Sequence, residues 1–167
     1  MTAAALPDAE QLLATLVVQM RPHVSVETGL IGIVTGGAWL AERLHAALNL
    51  AVPFGTLDVS FYRDDFQGKG LKHKVAPSAI PFEVDGRDLI VVDDVLYTGR
   101  TIRAAMNELF DYGRPASIRL ASLVDRGGRE LPIAAQFVGA AITLPARQSV
   151  GLKRDALGRL SLALSEG

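Results

Sequence analysis

Two adjacent carboxylates open the run Asp93-Asp94-Val95-Leu96-Tyr97-Thr98-Gly99-Arg100-Thr101. Paired carboxylates suit the vicinal hydroxyls of a ribose, or a metal ion. The Thr98-Gly99-Arg100-Thr101 stretch suits a different group. A helix start leaves backbone N–H groups unpaired and carries partial positive charge, so it can hold a phosphate. Gly99 lets the backbone come close, and the Thr98 and Thr101 hydroxyls can donate as well. A sugar diol and a phosphate bound side by side describe a ribose 5-phosphate. An acidic N-cap before an ordinary helix would give similar letters, since short motifs of this kind often match by chance. The setting of the run favours chemistry.

That setting is a strand before and a helix after. Leu89-Ile90-Val91-Val92 is apolar and mostly β-branched, which predicts a strand buried on both faces in a parallel sheet. The acidic pair falls where that strand should end. From Ile102 the apolar residues recur as Ile102, Ala105, Met106, Leu109 and Phe110, at helical spacing. Leu30-Ile31-Gly32-Ile33-Val34, then Thr35-Gly36-Gly37, then Leu40, Ala41, Leu44, Ala47 and Leu48 repeat the order of strand, small-residue loop and helix. A glycine pair at a strand end exposes N–H groups to an anion, or simply makes a tight turn.

The other elements are structural. Asp8 with Gln11 reads as a capping box for a helix carrying Leu12, Leu13, Leu16, Val17 and Met20, ended by Pro22. Asp58 to Tyr62 predicts a strand. The polar stretch Phe66 to Ser78, with Gly68-Lys69-Gly70 and Lys72-His73-Lys74, predicts a mobile loop. Phe82-Glu83-Val84 is a further pairing segment before the Asp85-Gly86 turn. Tyr112-Gly113-Arg114-Pro115 is a helix stop. Ser117 to Val124 and Phe137-Val138-Gly139 predict strands, and the alternation of Val150, Leu152, Leu160, Leu162 and Leu164 about Ala156-Leu157-Gly158 predicts a terminal hairpin. Strands alternating with helices give an α/β fold with a mostly parallel, doubly wound sheet. Right-handed crossovers then bring both loop–helix starts to one crevice on the carboxyl edge.

Composition narrows the function. The chain has 167 residues, which suits a single domain, and 49% are apolar, enough for a core. Net charge is −1, so nothing global suggests a nucleic-acid binder. There is no cysteine, which removes disulfide, zinc-thiolate and cysteine-nucleophile readings. No signal-like N-terminus and no run long enough to cross a membrane is visible, so a soluble cytoplasmic protein is expected.

The run Val91 to Thr101 resembles the phosphoribosyl-pyrophosphate (PRPP) motif of type I phosphoribosyltransferases. Its Val95-Leu96-Tyr97-Thr98-Gly99-Arg100-Thr101 form is similar to the PyrR family, pyrimidine operon regulators and uracil phosphoribosyltransferases. Tyr62-Arg63-Asp64-Asp65 and Val124-Asp125-Arg126-Gly127 also match that family. The resemblance implies a type I phosphoribosyltransferase fold across 1–167, with a mobile loop at about 63–80 and a small C-terminal hood at about 140–167. It implies that uracil and PRPP give UMP and pyrophosphate with Mg²⁺. PRPP or UMP would contact Thr35, Gly36 and the run Val92 to Thr101, namely Val92, Asp93, Asp94, Val95, Leu96, Tyr97, Thr98, Gly99, Arg100 and Thr101. Asp93, Asp94 and Arg63 would be catalytic, with Lys72 and Lys74 as further pyrophosphate contacts. Asp125, Arg126 and Val150 would line the base pocket. Asp155 and, indirectly, Asp93 would associate with the metal. A lysine near Asp125, usual in purine enzymes, is absent, which favours a pyrimidine.

The resemblance further implies a homo-oligomer, dimer or higher, and an alternative role as a uridine-nucleotide-sensing, RNA-binding attenuator acting on pyr leader mRNA. Departures collect around that second role and around the pyrophosphate loop. Gln11 to Met20 has no basic residue, Gly128 replaces a usual His, Ala134 a usual Arg, and Gly36 a usual Arg.

Overall fold

A computed structural model describes residues 5–60 and 78–167. The strand–helix alternation folds into a five-stranded sheet with every neighbouring pair parallel. In chain order the strands are β1 (Gly29–Ile33), β2 (Gly55–Leu57), β3 (Asp88–Leu96), β4 (Ser117–Asp125) and β5 (Phe137–Ala141). Their order in space is β2-β1-β3-β4-β5. The most apolar strands therefore take the middle. All of β1 is buried, as is β3 from Leu89 to Asp94.

Helices α1 (Ala9–Met20), α2 (Gly36–Leu48) and α3 (Arg100–Tyr112) cover the sheet. Two apolar clusters result. One gathers Leu12, Leu16, Met20, Leu40 and Leu44 with Ile90 and Val92; the other gathers Ile102, Ala105 and Leu109 with Leu89 and Val91. Alternate residues of β3 thus feed opposite faces, as the pleat of a strand requires. Asp8 caps α1 by accepting from the Glu10 and Gln11 amides at 2.8 and 3.4 Å. Gln19 of α1 clamps the edge strand β5, its amide group accepting from Val138 N–H at 3.0 Å and donating to Val138 C=O at 2.8 Å.

The terminal hairpin is β6 (Gln148–Arg154) paired antiparallel with β7 (Leu160–Glu166). Its Val150, Leu152 and Leu160 join the first cluster, and β6 packs on β3 and α2. No helix of the described residues is long and apolar enough to cross a membrane.

Three local expectations are corrected. The strand expected over Asp58 to Tyr62 lies earlier, at Gly55–Leu57, where Ile31 to Ile33 supply parallel partners. Asp58 to Ser60 have left the strand; the Asp58 carboxylate accepts from Ser60 N–H at 3.0 Å, a turn-type bond. Phe61 and Tyr62 lie outside the described residues. Phe82-Glu83-Val84 forms no strand, because Phe82 turns its ring onto Gly29 and beneath the Arg87 guanidinium. The acidic pair does not end its strand: pairing with β4 continues to Val95↔Val124 and Leu96↔Asp125.

Candidate active site

Asp93 and Asp94 lie in the central strand, and both are buried. Water is scarce there, so each carboxylate is held by backbone donors. Asp93 accepts from Asp94 N–H and Asp94 accepts from Val95 N–H, each at 2.9 Å. The strand continues through Val92, Val95 and Leu96, then turns at Tyr97 and Thr98. Gly99 has φ +95°, a left-handed conformation that favours glycine, and α3 starts at Arg100. The buried Thr98 hydroxyl accepts from Arg100 N–H at 3.2 Å. The α3 start, with Thr101 in its first turn, therefore follows directly on the carboxylate pair.

The second loop arrives from β1, whose neighbour is β3 (Gly32↔Val92). Thr35 is the N-cap of α2, its carbonyl accepting from Ala38 and Trp39 N–H. Gly36 and Gly37 are glycine because the loop touches β3. A Cβ on Gly37 would collide with the Val92 carbonyl, and one on Gly36 would lie 2.6 Å from Asp94 Oδ2. In this loop conformation the Asp94 carboxylate fills the space that a side chain at position 36 would take.

A third segment, 125–133, follows β4 and braces the far side. Arg129 donates to the Tyr97 carbonyl at 2.5 Å and to Asp125 at 2.7 Å. Glu130 and Leu131 N–H groups donate to the Thr98 carbonyl at 2.9 and 3.2 Å. Arg100 Nε pairs with Glu130 at 2.9 Å. Arg126 stacks on the Tyr97 ring, its guanidinium carbon 4.0 Å from the ring centre. The buried Arg126 Nε has no hydrogen-bond partner among the described residues. Burial pushes the Asp125 carboxyl up, but the Arg129 hydrogen bond, the Gly127 amide and the Arg129 charge outweigh it and hold the group below its ordinary value.

Thr35, Gly36, Val92 to Thr101, Asp125 and Arg126 thus come together at the carboxyl edge of the sheet. Val150 is a buried core residue of β6, the strand that packs on β3. Asp155 sits in the hairpin turn, where its Oδ1 accepts from the Leu157 and Arg159 amides at 2.9 Å. Arg63, Lys72 and Lys74 lie outside the described residues. Among the described residues no three His, Asp or Glu side chains cluster as a metal cage. Arg129 and Asp125, four residues apart, form an ion pair within this brace.

A family model for the phosphoribosyl transferase domain matches residues 5–145. The chain is 51% identical over 151 residues to the Bifunctional protein PyrR of Pseudomonas fluorescens, covering 88% of this chain and 90% of that one. The PyrR protein of Pseudomonas paraeruginosa is 53% identical over 152 residues, covering 88% and 89%. The chain belongs to the phosphoribosyltransferase family, within its PyrR group. Solved structures agree on the fold. A hypoxanthine phosphoribosyltransferase from Staphylococcus aureus superposes with a TM-score of 0.65 at 20% identity, covering 81% of this chain and 75% of that one. The Trypanosoma cruzi enzyme gives 0.63 at 22%, covering 83% and 80%. The type I phosphoribosyltransferase fold, with its central parallel sheet and small C-terminal hairpin, is therefore shared.

Proposed function

We propose that this phosphoribosyltransferase makes UMP and pyrophosphate from uracil and PRPP. The observation that carries the reading is the seating of two buried carboxylates directly beside a left-handed Gly99 and a helix start. The backbone at Thr98 to Thr101, with both threonine hydroxyls, cradles the 5-phosphate. Asp93 and Asp94 hold the ribose hydroxyls and steady the positive charge that grows on the ring as pyrophosphate departs. Uracil N1 attacks C1: the C1–N1 bond forms, the C1–O bond breaks, and the N1 proton is lost. No protein nucleophile takes part, and the rate comes from positioning and fixed charge. Tyr97 and Arg126 form a stacked wall at the base side, which Asp125 and Arg129 hold in place. Thr35 and Gly36 face the pyrophosphate, with Arg63 contributing from the segment beyond Ser60.

Mg²⁺ fits this donor set as an ion held mainly by substrate oxygens and water, with Asp93 touching it indirectly. It offsets the pyrophosphate charge when bound. The reading of 1–167 as a single domain is supported among the described residues by Val150, Leu152 and Leu160 of the hairpin, which share a core with α1 and α2.

The test is UMP formation from uracil, PRPP and Mg²⁺, with hypoxanthine and orotate as competing bases. Turnover confined to uracil is expected, and turnover only with a purine, or with no base, overturns the assignment. The name "bifunctional" carried by the Pseudomonas relatives favours a second role, binding of leader RNA by a homo-oligomer in the cytoplasm. That binding should weaken steeply with salt. A mass measurement in solution gives the oligomer, for which a dimer or higher is expected.

A further inference from the structure

Gly36 does something that an open, anion-binding loop does not require. Its ideal Cβ would stand 2.6 Å from Asp94 Oδ2, 2.8 Å from Cγ and 3.1 Å from Cβ. The carboxylate therefore occupies the space a side chain at position 36 would take. Of the two sides, only the carboxylate can give way. The loop backbone cannot retreat, because Gly37 is already pressed on the Val92 carbonyl, with the Asp93 Cα 3.2 Å from its ideal Cβ position, and Gly32 is pressed on the Gly37 carbonyl. Asp94 is held on its other oxygen by Val95 N–H at 2.9 Å. A substituent at position 36 therefore displaces the carboxylate and strains that bond.

We propose that Gly36 is a positioning residue for ribose recognition: by lacking a side chain it leaves open the rotamer that Asp94 adopts, and through Asp94 it permits the discrimination for a ribose diol. This rests on the reading of Asp94 as a diol ligand. The glycine thus marks a site where the loop sets specificity by leaving room, instead of by supplying a cation.

Equilibrium binding of UMP and of 2′,3′-dideoxyuridine 5′-monophosphate separates the possibilities without needing turnover. The native protein should prefer UMP by about 10- to 100-fold, the range for hydrogen bonds to a charged group. Asp94→Asn and Gly36→Ala should each cut that preference to about threefold or less, and the double variant should lose no more than Asp94→Asn alone. A loop that is merely distorted would weaken both ligands equally and keep the ratio. If Gly36→Ala keeps the ratio while Asp94→Asn loses it, the proposal falls and the Asp94 reading stands. If Asp94→Asn keeps the ratio, both fall. Should Gly36→Ala alone fail to fold, Gly36→Ala with Asp94→Ala should fold, because the colliding carboxylate is gone. An equally unfolded double variant overturns the proposal.

Discussion

The two strand–loop–helix units, β1 to α2 and β3 to α3, are built from the same kind of sequence and work by opposite means. Around Thr35-Gly36-Gly37 the glycines are required by what lies outside them: the Val92 carbonyl and the Asp94 carboxylate. Around Thr98-Gly99-Arg100 the glycine is required by its own backbone, at φ +95°. The first loop is limited by space; the second is limited by conformation and, more mildly, by Ile133, 3.0 Å from where a Cβ on Gly99 would stand. Close packing makes the first a rigid wall beside the carboxylates. An unusual dihedral makes the second a turn that opens directly into the start of α3. Two glycine loops at one sheet edge therefore need not be two copies of one phosphate cradle.

The largest effect should come from the carboxylate between them. Asp94→Asn is expected to lower turnover by about 10²–10⁴-fold, the size of a lost electrostatic contact to a transition state, while the melting temperature holds; near-native rates would show that the two loops enclose the wrong group. Next comes the contrast between the glycines. Gly37→Ala should destabilise by about 2–3 kcal/mol through overpacking, and Gly37→Asn should be no better. At Gly99 the order should depend on dihedral preference: Asn, which tolerates left-handed backbone, should cost less than Ala. Urea melts of the four variants read this directly, and a similar ranking at both sites would erase the distinction. Thr98→Val removes a buried hydroxyl that bonds the Arg100 amide, so KM for PRPP should rise about 5- to 30-fold with a smaller change in kcat.

The smallest effect is electrostatic. The Asp125 carboxyl is held below its ordinary value in the native state, so its stabilising contribution is present above about pH 4, the range of an unperturbed Asp. It is lost as pH falls through the lowered native value. Asp125→Asn should therefore lower stability at neutral pH by at most about 1 kcal/mol, leave it almost unchanged below the native titration, and so flatten the acid limb of a stability–pH curve. An identical acid limb in the variant would remove Arg129–Asp125 from the bracing of the Tyr97 turn.

Much of this was legible in the sequence because periodicity and burial agree. Leu89 to Val92 had to be interior, and Ile102, Ala105 and Leu109 had to share a helix face. The resemblance of Val91 to Thr101 named the family, and the family match bears it out. What escaped was set by contacts between distant residues. Asp58 to Ser60 alternates like a strand, but the partners offered by β1 lie opposite Gly55 to Leu57. Position 36 read as a missing cation because nothing local reports that a carboxylate 58 residues later fills its space. The brace from 125–133 to Thr98 consists of backbone hydrogen bonds, which leave little trace in side-chain identity.

The overrun of β3 past its acidic pair sets a clock as well as a shape. Amides flanked by strands on both sides exchange with solvent only when a large part of the molecule opens. With Leu89 to Val92 paired to β1 on one side and β4 on the other, and Asp93 to Leu96 continuing along β4, the backbone just before the carboxylates should be among the last to take up deuterium. The turn at Tyr97 and Thr98, a few residues on, should exchange far sooner. The carboxylate pair would then sit at the boundary between slowly and quickly opening backbone.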